Sequence, residues 1–247
     1  MYRERPSRVP GAVVWERVVS AAAPARPVLP DGCMDLIWSP HGLLVAGPDT
    51  VAHLPETAAG DVYIGLRFAP GTAPAILDVP AHELRDQRVP LADLWPAAQV
   101  RVLAERLHEA PNPGVALEEI AAGRLRPTGP VDPVVPEIVR QLRAGTSVAA
   151  TAAAVGLSER QLHRRCLSAF GYGPKTLQRI LRMRRALALA RRGVPFAAVA
   201  AAAGYSDQAH LAREVRALAG MPLGQLVGSG ANRSTLLPSG SRTIAYR

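Results

Sequence analysis

An internal repeat constrains the fold of this chain of 247 residues more than any other feature. Residues 149–159, AATAAAVGLSE, and residues 197–207, AAVAAAAGYSD, are identical at seven of eleven positions at an offset of 48. Alanine is abundant throughout, so the shared glycine, serine and acidic positions carry the match. With one residue slipped, the pattern continues at an offset of 49 through Leu162 and Leu211, Arg164 and Arg213, and Gly171 and Gly220. Each copy predicts a helix-turn-helix unit: a short helix, a turn of about three to four residues and an amphipathic helix.

The charge of the chain is divided unequally between its halves. Residues 1–129 contain 12 arginines against 15 acidic residues, whereas residues 130–247 contain 16 arginines and one lysine against five acidic residues. A compact basic region indicates a polyanionic partner, most often nucleic acid. Because the repeat lies in the basic half, the two observations together favour double-stranded DNA as the partner.

The first half has the texture of a small α+β domain. Short runs rich in Val, Ile, Leu, Trp and Tyr, bounded by turn residues, predict strands at residues 12–17, 33–39, 43–46 and 62–68. Helical spacing follows at residues 73–77 and 97–110, with a turn at residues 91–95. We expect an antiparallel sheet with helices on one face.

A proline- and glycine-rich stretch at residues 123–133 lacks an apolar period and marks a domain boundary. We therefore predict an N-terminal β-rich domain over residues 1–123, a linker at 124–131 and a DNA-binding domain over 132–227. Residues 228–247, rich in Gly, Ser and Arg, are expected to be disordered. The second domain should be all-α, with helices at residues 134–143, 148–155, 159–170, 174–192 and 196–202, a helix from Ser206 or Asp207 to about residue 219, and one at 223–227.

These motifs resemble the AraC/XylS family of bacterial transcription regulators. The carrying residues are Gly156-Leu157-Ser158, Gly171-Tyr172-Gly173-Pro174 with Arg182 and Ala186, and the stretch 200–213, AAAAGYSDQAHLAR. The resemblance covers roughly residues 132–227 and implies two helix-turn-helix units joined by a long helix. The first half resembles, through residues 30–36, 47–50 and 65–71, an N-terminal domain of uncharacterised role found in some of these regulators. This resemblance implies that residues 1–123 are a sensing or regulatory domain.

The candidate DNA contacts follow from the two units. The second helix of a helix-turn-helix enters the major groove, and side chains at its N-terminal end reach base edges. The outward residues are Arg160, Gln161, His163 and Arg164 in the first copy and Gln208, His210 and Arg213 in the second. Arg164 and Arg213 are equivalent and are the strongest base-reading candidates, because a bidentate arginine–guanine pair gives about 1–3 kcal/mol of discrimination. Ser158 and Ser206 are helix caps first and phosphate donors second, and Arg182 contacts DNA or pairs within the protein.

The sequence offers no recognisable catalytic constellation, so we expect no enzyme activity, resident metal or cofactor. Cys33, Asp35, His41 and His53 lack the HxH or HExxH spacing of a metal site, and turn or core roles are favoured. The two cysteines, Cys33 and Cys166, show no CxxC pattern and are expected to be reduced and structural. Arg67 either anchors an acidic ligand or forms an ion pair within the sheet, and we favour the ion pair.

The apolar runs are too short to span a bilayer and the N-terminus lacks the apolar region of a secretory signal, so a cytoplasmic protein without membrane contact is expected. A small-molecule effector of the first domain and a homodimer both stay open. One rival function is a sensor or protein-interaction module with only non-specific DNA binding, which would show salt-dependent binding without sequence preference. Another is an enzyme with a DNA tether.

Overall fold

The computed structural model describes residues 1–21, 26–128 and 132–228. The first half of the chain combines an antiparallel sheet with helices, and all regular elements among the described residues of the second half are helices. This confirms the expected α+β architecture of a β-rich N-terminal domain and an all-α C-terminal domain.

Six strands form one sheet within the described residues, in the order β1-β2-β5-β3-β4-β6, and all neighbours are antiparallel. Their bounds are β1 Tyr2–Pro6, β2 Ala12–Val18, β3 Met34–Ser39, β4 Gly42–Ala46, β5 Val62–Phe68 and β6 Arg88–Pro90. The four inner strands were predicted, but β1 and β6 were not. Both lie at the edges of the sheet: β1, YRERP, is mostly charged, and β6 has only three residues. Neither therefore carries the apolar pattern on which a sequence-based strand prediction depends.

Helices cover one face of the sheet. They are α1 Ala73–Leu77, α2 Ala97–Glu109 and α3 Pro113–Thr128, accompanied by 3-10 turns at Ala81–Leu84 and Leu91–Asp93. Val14, Leu66 and Phe68 are buried beneath them in the core of the first domain. Gly114 brings α3 close to the sheet, since a Cβ there would lie 2.8 Å from the Val14 side chain.

Helix α3 corrects the predicted linker. It was not predicted, and it continues through Thr128, so residues 124–128 of the predicted linker 124–131 are helical. The Arg124 guanidinium lies 4.5 Å from the Trp95 ring centre, and its Nε donates to the Ile76 carbonyl at 3.3 Å. These contacts bind the end of α3 to the first domain despite the lack of an apolar period. Residues 129–131 and the predicted disordered tail from 229 onward lie outside the described residues.

The second half contains the helices that the repeat predicted, each within about two residues of its expected bounds. They are α4 Val134–Ala144, α5 Val148–Ala154, α6 Glu159–Phe170, α7 Pro174–Arg191, α8 Phe196–Ala203, α9 Gln208–Ala219 and α10 Leu223–Gly228. One apolar core runs through all of them, and it includes Leu29 from the first half. The buried face of α7 lies at its centre.

The two halves pack directly against each other. A Cβ on Gly71, which follows β5, would lie 2.3 Å from Val135 on α4 and 2.8 Å from Phe170 on α6. The Ala52 backbone N–H donates to the Leu218 carbonyl on α9 at 2.8 Å. The first half therefore contacts the C-terminal ends of both α6 and α9.

A buried ion pair fastens β1 to α3, and its loss should be measurable. The Glu118 side chain is 2% exposed and accepts two hydrogen bonds from Arg5, at 3.0 and 2.8 Å, and one from the Arg8 N–H at 2.7 Å. Burial raises the pKa of Glu118, but these hydrogen bonds outweigh it and lower the pKa to about 2. The carboxylate is thus stabilised in the folded state.

We expect Glu118→Gln to lower the free energy of unfolding in urea by about 1–3 kcal/mol near pH 7. Because the pKa is lower in the folded state than its unfolded value of about 4.3, this stabilisation is complete above roughly pH 5 and disappears as the pH falls towards the folded pKa. The variant and the parent should therefore converge in acid. Glu119→Gln is the matched control, since Glu119 is 52% exposed. It should change stability by less than about 0.5 kcal/mol, and an equal loss in both variants would contradict the assignment.

Candidate nucleic-acid interface

The repeat extends further in the structure than in the sequence. The buried residues of α4 match those of the C-terminal half of α7 at an offset of 48, and those of α6 match those of α9 at an offset of 49. The matched pairs are Val135 and Met183, Ile138 and Ala186, Val139 and Leu187, Leu142 and Ala190, Leu162 and Leu211, Cys166 and Val215, Ala169 and Leu218, and Phe170 and Ala219. Each unit is therefore a bundle of three helices: α4, α5 and α6 in the first, and α7, α8 and α9 in the second.

The turns of the two units are built in the same way. Gly156 and Gly204 have positive φ angles of 68° and 79°, which glycine adopts without strain. One residue later, the Leu157 N–H donates to the Ala152 carbonyl and the equivalent Tyr205 N–H donates to Ala200, both at 2.9 Å. The single extra residue of the second copy lies after this bond and before the cap of α9.

The caps follow the prediction in the first unit and decide between two alternatives in the second. Ser158 caps α6, with the Gln161 side chain completing a capping box. Asp207 caps α9 and accepts from the His210 N–H at 2.6 Å. Ser206 is therefore not the cap, because the inserted residue moves the start of α9 by one position. Its hydroxyl lies 3.0 Å from Nδ1 of His210.

The predicted DNA contacts at the start of α6 and α9 are mostly exposed. Arg160, Gln161, His163 and Arg164 are exposed on α6, and Gln208 and Arg213 are exposed on α9. Arg164 and Arg213 form no hydrogen bond or ion pair with any other described residue, so their guanidinium groups face solvent.

Three of the predicted contacts are engaged within the protein. Gln161 accepts from the Ser158 N–H at 2.8 Å through its side-chain oxygen. The His163 ring packs against Gly173, where a Cβ would approach it to 2.7 Å. His210 is half-buried, with its ring edge against Tyr205 at a centroid distance of 5.3 Å.

Arg182 is directed into the second unit. Its guanidinium lies 4.4 Å from the Tyr205 ring centre, donates to the Gly204 carbonyl at 3.3 Å and lies 3.5 Å from Glu214. Of the two alternatives open for Arg182, this geometry favours pairing within the protein. The sequence could not decide the question because Glu214, its partner, lies 32 residues away on α9.

Two ion pairs hold α6 and α9, the helices that follow the two turns and that are termed here the recognition helices. The sequence analysis did not identify these ion pairs. Arg165 on α6 binds Asp132, which precedes α4, with an Nε to Oδ2 distance of 2.6 Å. Glu214 on α9 binds Arg179 on α7 through two hydrogen bonds of 2.9 and 3.2 Å. The bond from Arg179 lowers the pKa of Glu214 and keeps its carboxylate charged. The signal that could have revealed these pairs is the opposite charge of Arg165 and Glu214, which occupy equivalent positions of the repeat.

The polar residues singled out in the first half have structural partners. Arg67 lies 3.3 Å from Asp35 and 3.4 Å from Glu4, which confirms the ion pair within the sheet. The Trp15 indole also donates to Asp35. Cys33 and Cys166 are free and buried, as expected, and burial raises the pKa of both thiols.

Neither a metal centre nor a membrane span is found in the part of the chain that the structure describes. No group of three or more His, Cys, Asp or Glu side chains comes together there in a way that could hold an ion. None of the described helices combines the length and the apolar character needed to cross a bilayer.

Two family models match separate parts of the chain. Residues 151–228 match a family described as a helix-turn-helix domain, and residues 12–90 match a domain of unknown function. No curated protein matches the chain.

Several solved structures are similar to this chain at low sequence identity. A probable AraC family transcriptional regulator from Rhodopseudomonas palustris is 20% identical over 41% of this chain and all of its own length, with a TM-score of 0.35. ToxT from Vibrio cholerae is 9% identical over 92% of this chain and 98% of its own length, with a TM-score of 0.46. ToxT bound to an unsaturated fatty acid is 8% identical over 87% of this chain and 94% of its own, with a TM-score of 0.42.

The helix-turn-helix match begins within α5 and ends with α10, so it covers α6 and the whole of the second three-helix unit. The second half of the chain thus contains a helix-turn-helix domain, and the first half contains a domain of unknown function.

Proposed function

We propose that this protein is a cytoplasmic regulator that binds a specific double-stranded DNA sequence, with α6 and α9 reading successive major grooves. In this proposal residues 132–227 form the DNA-binding domain and residues 1–123 modulate it. The observation that carries the proposal is the pair of equivalent, exposed arginines, Arg164 and Arg213, on two helices that share one apolar core.

The length of α7 supports reading of two grooves by one polypeptide. Its 18 residues span about 27 Å at roughly 1.5 Å per residue. Adjacent major grooves on one face of B-DNA are about 34 Å apart, so a small tilt of the units or bending of the duplex bridges the difference. The two recognition helices thus fit one DNA turn without a second protomer.

The exposed side chains divide into two roles. Arg164 and Arg213 are free to form bidentate contacts with guanine, and Gln208 can pair with adenine. Arg160, at the start of α6, is placed for phosphate contacts, which fix register without reading sequence. Gln161 and His210 have packing and capping partners and act mainly by shaping the helix starts.

The contact between the halves supports modulation by the first domain. Tyr172, directly after α6, is 2% exposed, and its hydroxyl finds no hydrogen-bond partner among the described residues. On α7, burial lowers the pKa of Arg184 to about 10, although Asp31 of the first domain lies near enough to oppose this. A buried polar group that lacks hydrogen-bond partners raises the free energy of the interface that contains it. A ligand or partner of modest binding free energy can therefore shift the equilibrium of the contact between the two halves.

The base-reading assignment predicts a local defect. Arg164→Ala and Arg213→Ala should each reduce discrimination at one position of the site by about 5-fold or more, and each should affect a different half-site. Binding of variant operators by fluorescence anisotropy measures this. Arg216→Ala removes the same charge from the last turn of α9 and should weaken all sequences alike. Uniform weakening by all three variants would mean that Arg164 and Arg213 contact phosphate.

Selection from a random double-stranded library with the full-length chain at about 150 mM salt tests the proposal as a whole. We expect a motif of two segments about one helical turn apart. Bound fragments without a shared motif would support the rival function of non-specific binding. Repeating the selection with residues 130–247 separates that result from inhibition by the first domain.

The domain contact predicts that Gly71→Ala weakens specific binding by about 3- to 10-fold. The Gly71 contact lies against Val135 on α4 and Phe170 at the C-terminal end of α6, and it leaves Arg164 exposed. Loosening it should therefore reduce the preorganisation of α6 rather than uncover the DNA-binding surface. Gly60→Ala is the matched control, because Gly60 also has a positive φ, 91°, but nothing within 4 Å of an added Cβ. Equal effects of both substitutions would exclude modulation through this contact.

A further inference from the structure

The seventh residue of each recognition helix differs in charge between the two units. Arg165 on α6 and Glu214 on α9 are equivalent at the offset of 49 that relates all the buried residues of these helices. Both follow directly after the proposed base-reading arginine. A reversal of charge at equivalent positions of a repeat requires partners whose charges are also reversed.

The first unit provides an acidic partner where its first helix begins. Arg165 donates to Oδ2 of Asp132 through Nε at 2.6 Å, and its terminal nitrogen lies 2.5 Å from the same oxygen. The other carboxylate oxygen of Asp132 accepts from the Val134 N–H at 3.1 Å. One carboxylate therefore joins the start of α4 to the middle of α6.

The second unit provides basic partners at the corresponding place. Adding the offset of 48 to residue 132 gives residue 180, and Arg179 and Arg182 lie on either side of it on α7. Arg179 donates two hydrogen bonds to Glu214, at 2.9 and 3.2 Å, and Arg182 donates one of 3.5 Å. The same connection is thus made twice with its charges exchanged.

Helix α7 packs against both α6 and α9, and the exchanged charges disfavour ion pairs with the wrong partner there. Arg165 would be repelled by Arg179 and Arg182, and Glu214 would be repelled by Asp132. Each recognition helix is thereby directed to the first helix of its own unit. Apolar contacts alone cannot determine which first helix each recognition helix packs against, because burial of Leu162 or Leu211 is not directional.

We propose that Asp132 and Glu214 are positioning residues that set the angle at which α6 and α9 present Arg164 and Arg213 to base edges. This inference rests on the proposed sequence-specific function. Arg165 is 40% exposed and Asp132 is 32% exposed, and ion pairs of this exposure add little to stability. Their contribution is orientation, on which a bidentate base contact depends strongly.

The experiment compares full-length Asp132→Asn and Glu214→Gln with the parent chain on single-base variants of the selected operator. Asparagine keeps an acceptor for the Val134 N–H, so the start of α4 is retained. We expect Asp132→Asn to reduce discrimination about 3- to 10-fold in the α6 half-site only, and Glu214→Gln to do so in the α9 half-site only. Both substitutions remove a negative charge, so an electrostatic role predicts the opposite result, tighter binding to every sequence.

Glu137→Gln is the matched control. Glu137 lies on α4 and pairs with Arg140 of the same helix, so its loss changes the net charge equally without touching α6. Thermal unfolding and circular dichroism of each variant report any general loss of structure.

The outcomes separate the two proposals. A parent chain without base preference overturns the sequence-specific function and this inference with it. A parent chain with a two-part preference that both variants retain, or that both lose equally in the two half-sites alongside a lower unfolding temperature, overturns the positioning role alone. Loss confined to the matching half-site supports it.

Discussion

The buried face of α7 is the constraint on which the second half of this protein depends. Its apolar residues pack against the first unit near Leu177 and Ile180, and against α8 and α9 further along the helix. The C-terminal half of α7 is itself the first helix of the second unit. Neither unit therefore has a complete core without this helix, and the two recognition helices share one apolar interior rather than two.

Ion pairs and helix caps are directional, whereas the contacts of this apolar interior are not. The first half of the chain is slightly acidic and the second is strongly basic, so arginines outnumber acidic side chains in the second half. Within the second half, the few acidic residues are used locally: Asp132 and Glu214 bind arginines beside the recognition helices, and Asp207 caps α9. The arginines at the exposed helix starts are left without such partners.

The sequence predicted those parts of the fold whose residues repeat or alternate. The match between Gly156-Leu157-Ser158 and Gly204-Tyr205-Ser206 revealed both turns, and runs such as VYIGLRF revealed the inner strands. It could not reveal that α4 and α7 are also equivalent, because Ile138 corresponds to Ala186 and only burial relates them. The edge strands, the extension of α3 to Thr128 and the partners of Arg165 and Glu214 all depend on contacts between distant segments, which local patterns do not encode.

Because α7 contributes to the cores of both units, the positions at which the chain can accept an inserted residue are limited. An inserted residue in an α-helix rotates everything beyond it by about 100° and moves it by about 1.5 Å. In α7 such an insertion would turn α9 away from the face on which α6 lies, and Arg179 would no longer face Glu214. In the turn before α9, by contrast, the second unit carries one more residue than the first with no change in its buried positions. Variation in length is thus tolerated between the helices of a unit, while α7 sets the orientation of α9 relative to α6 and must keep its length.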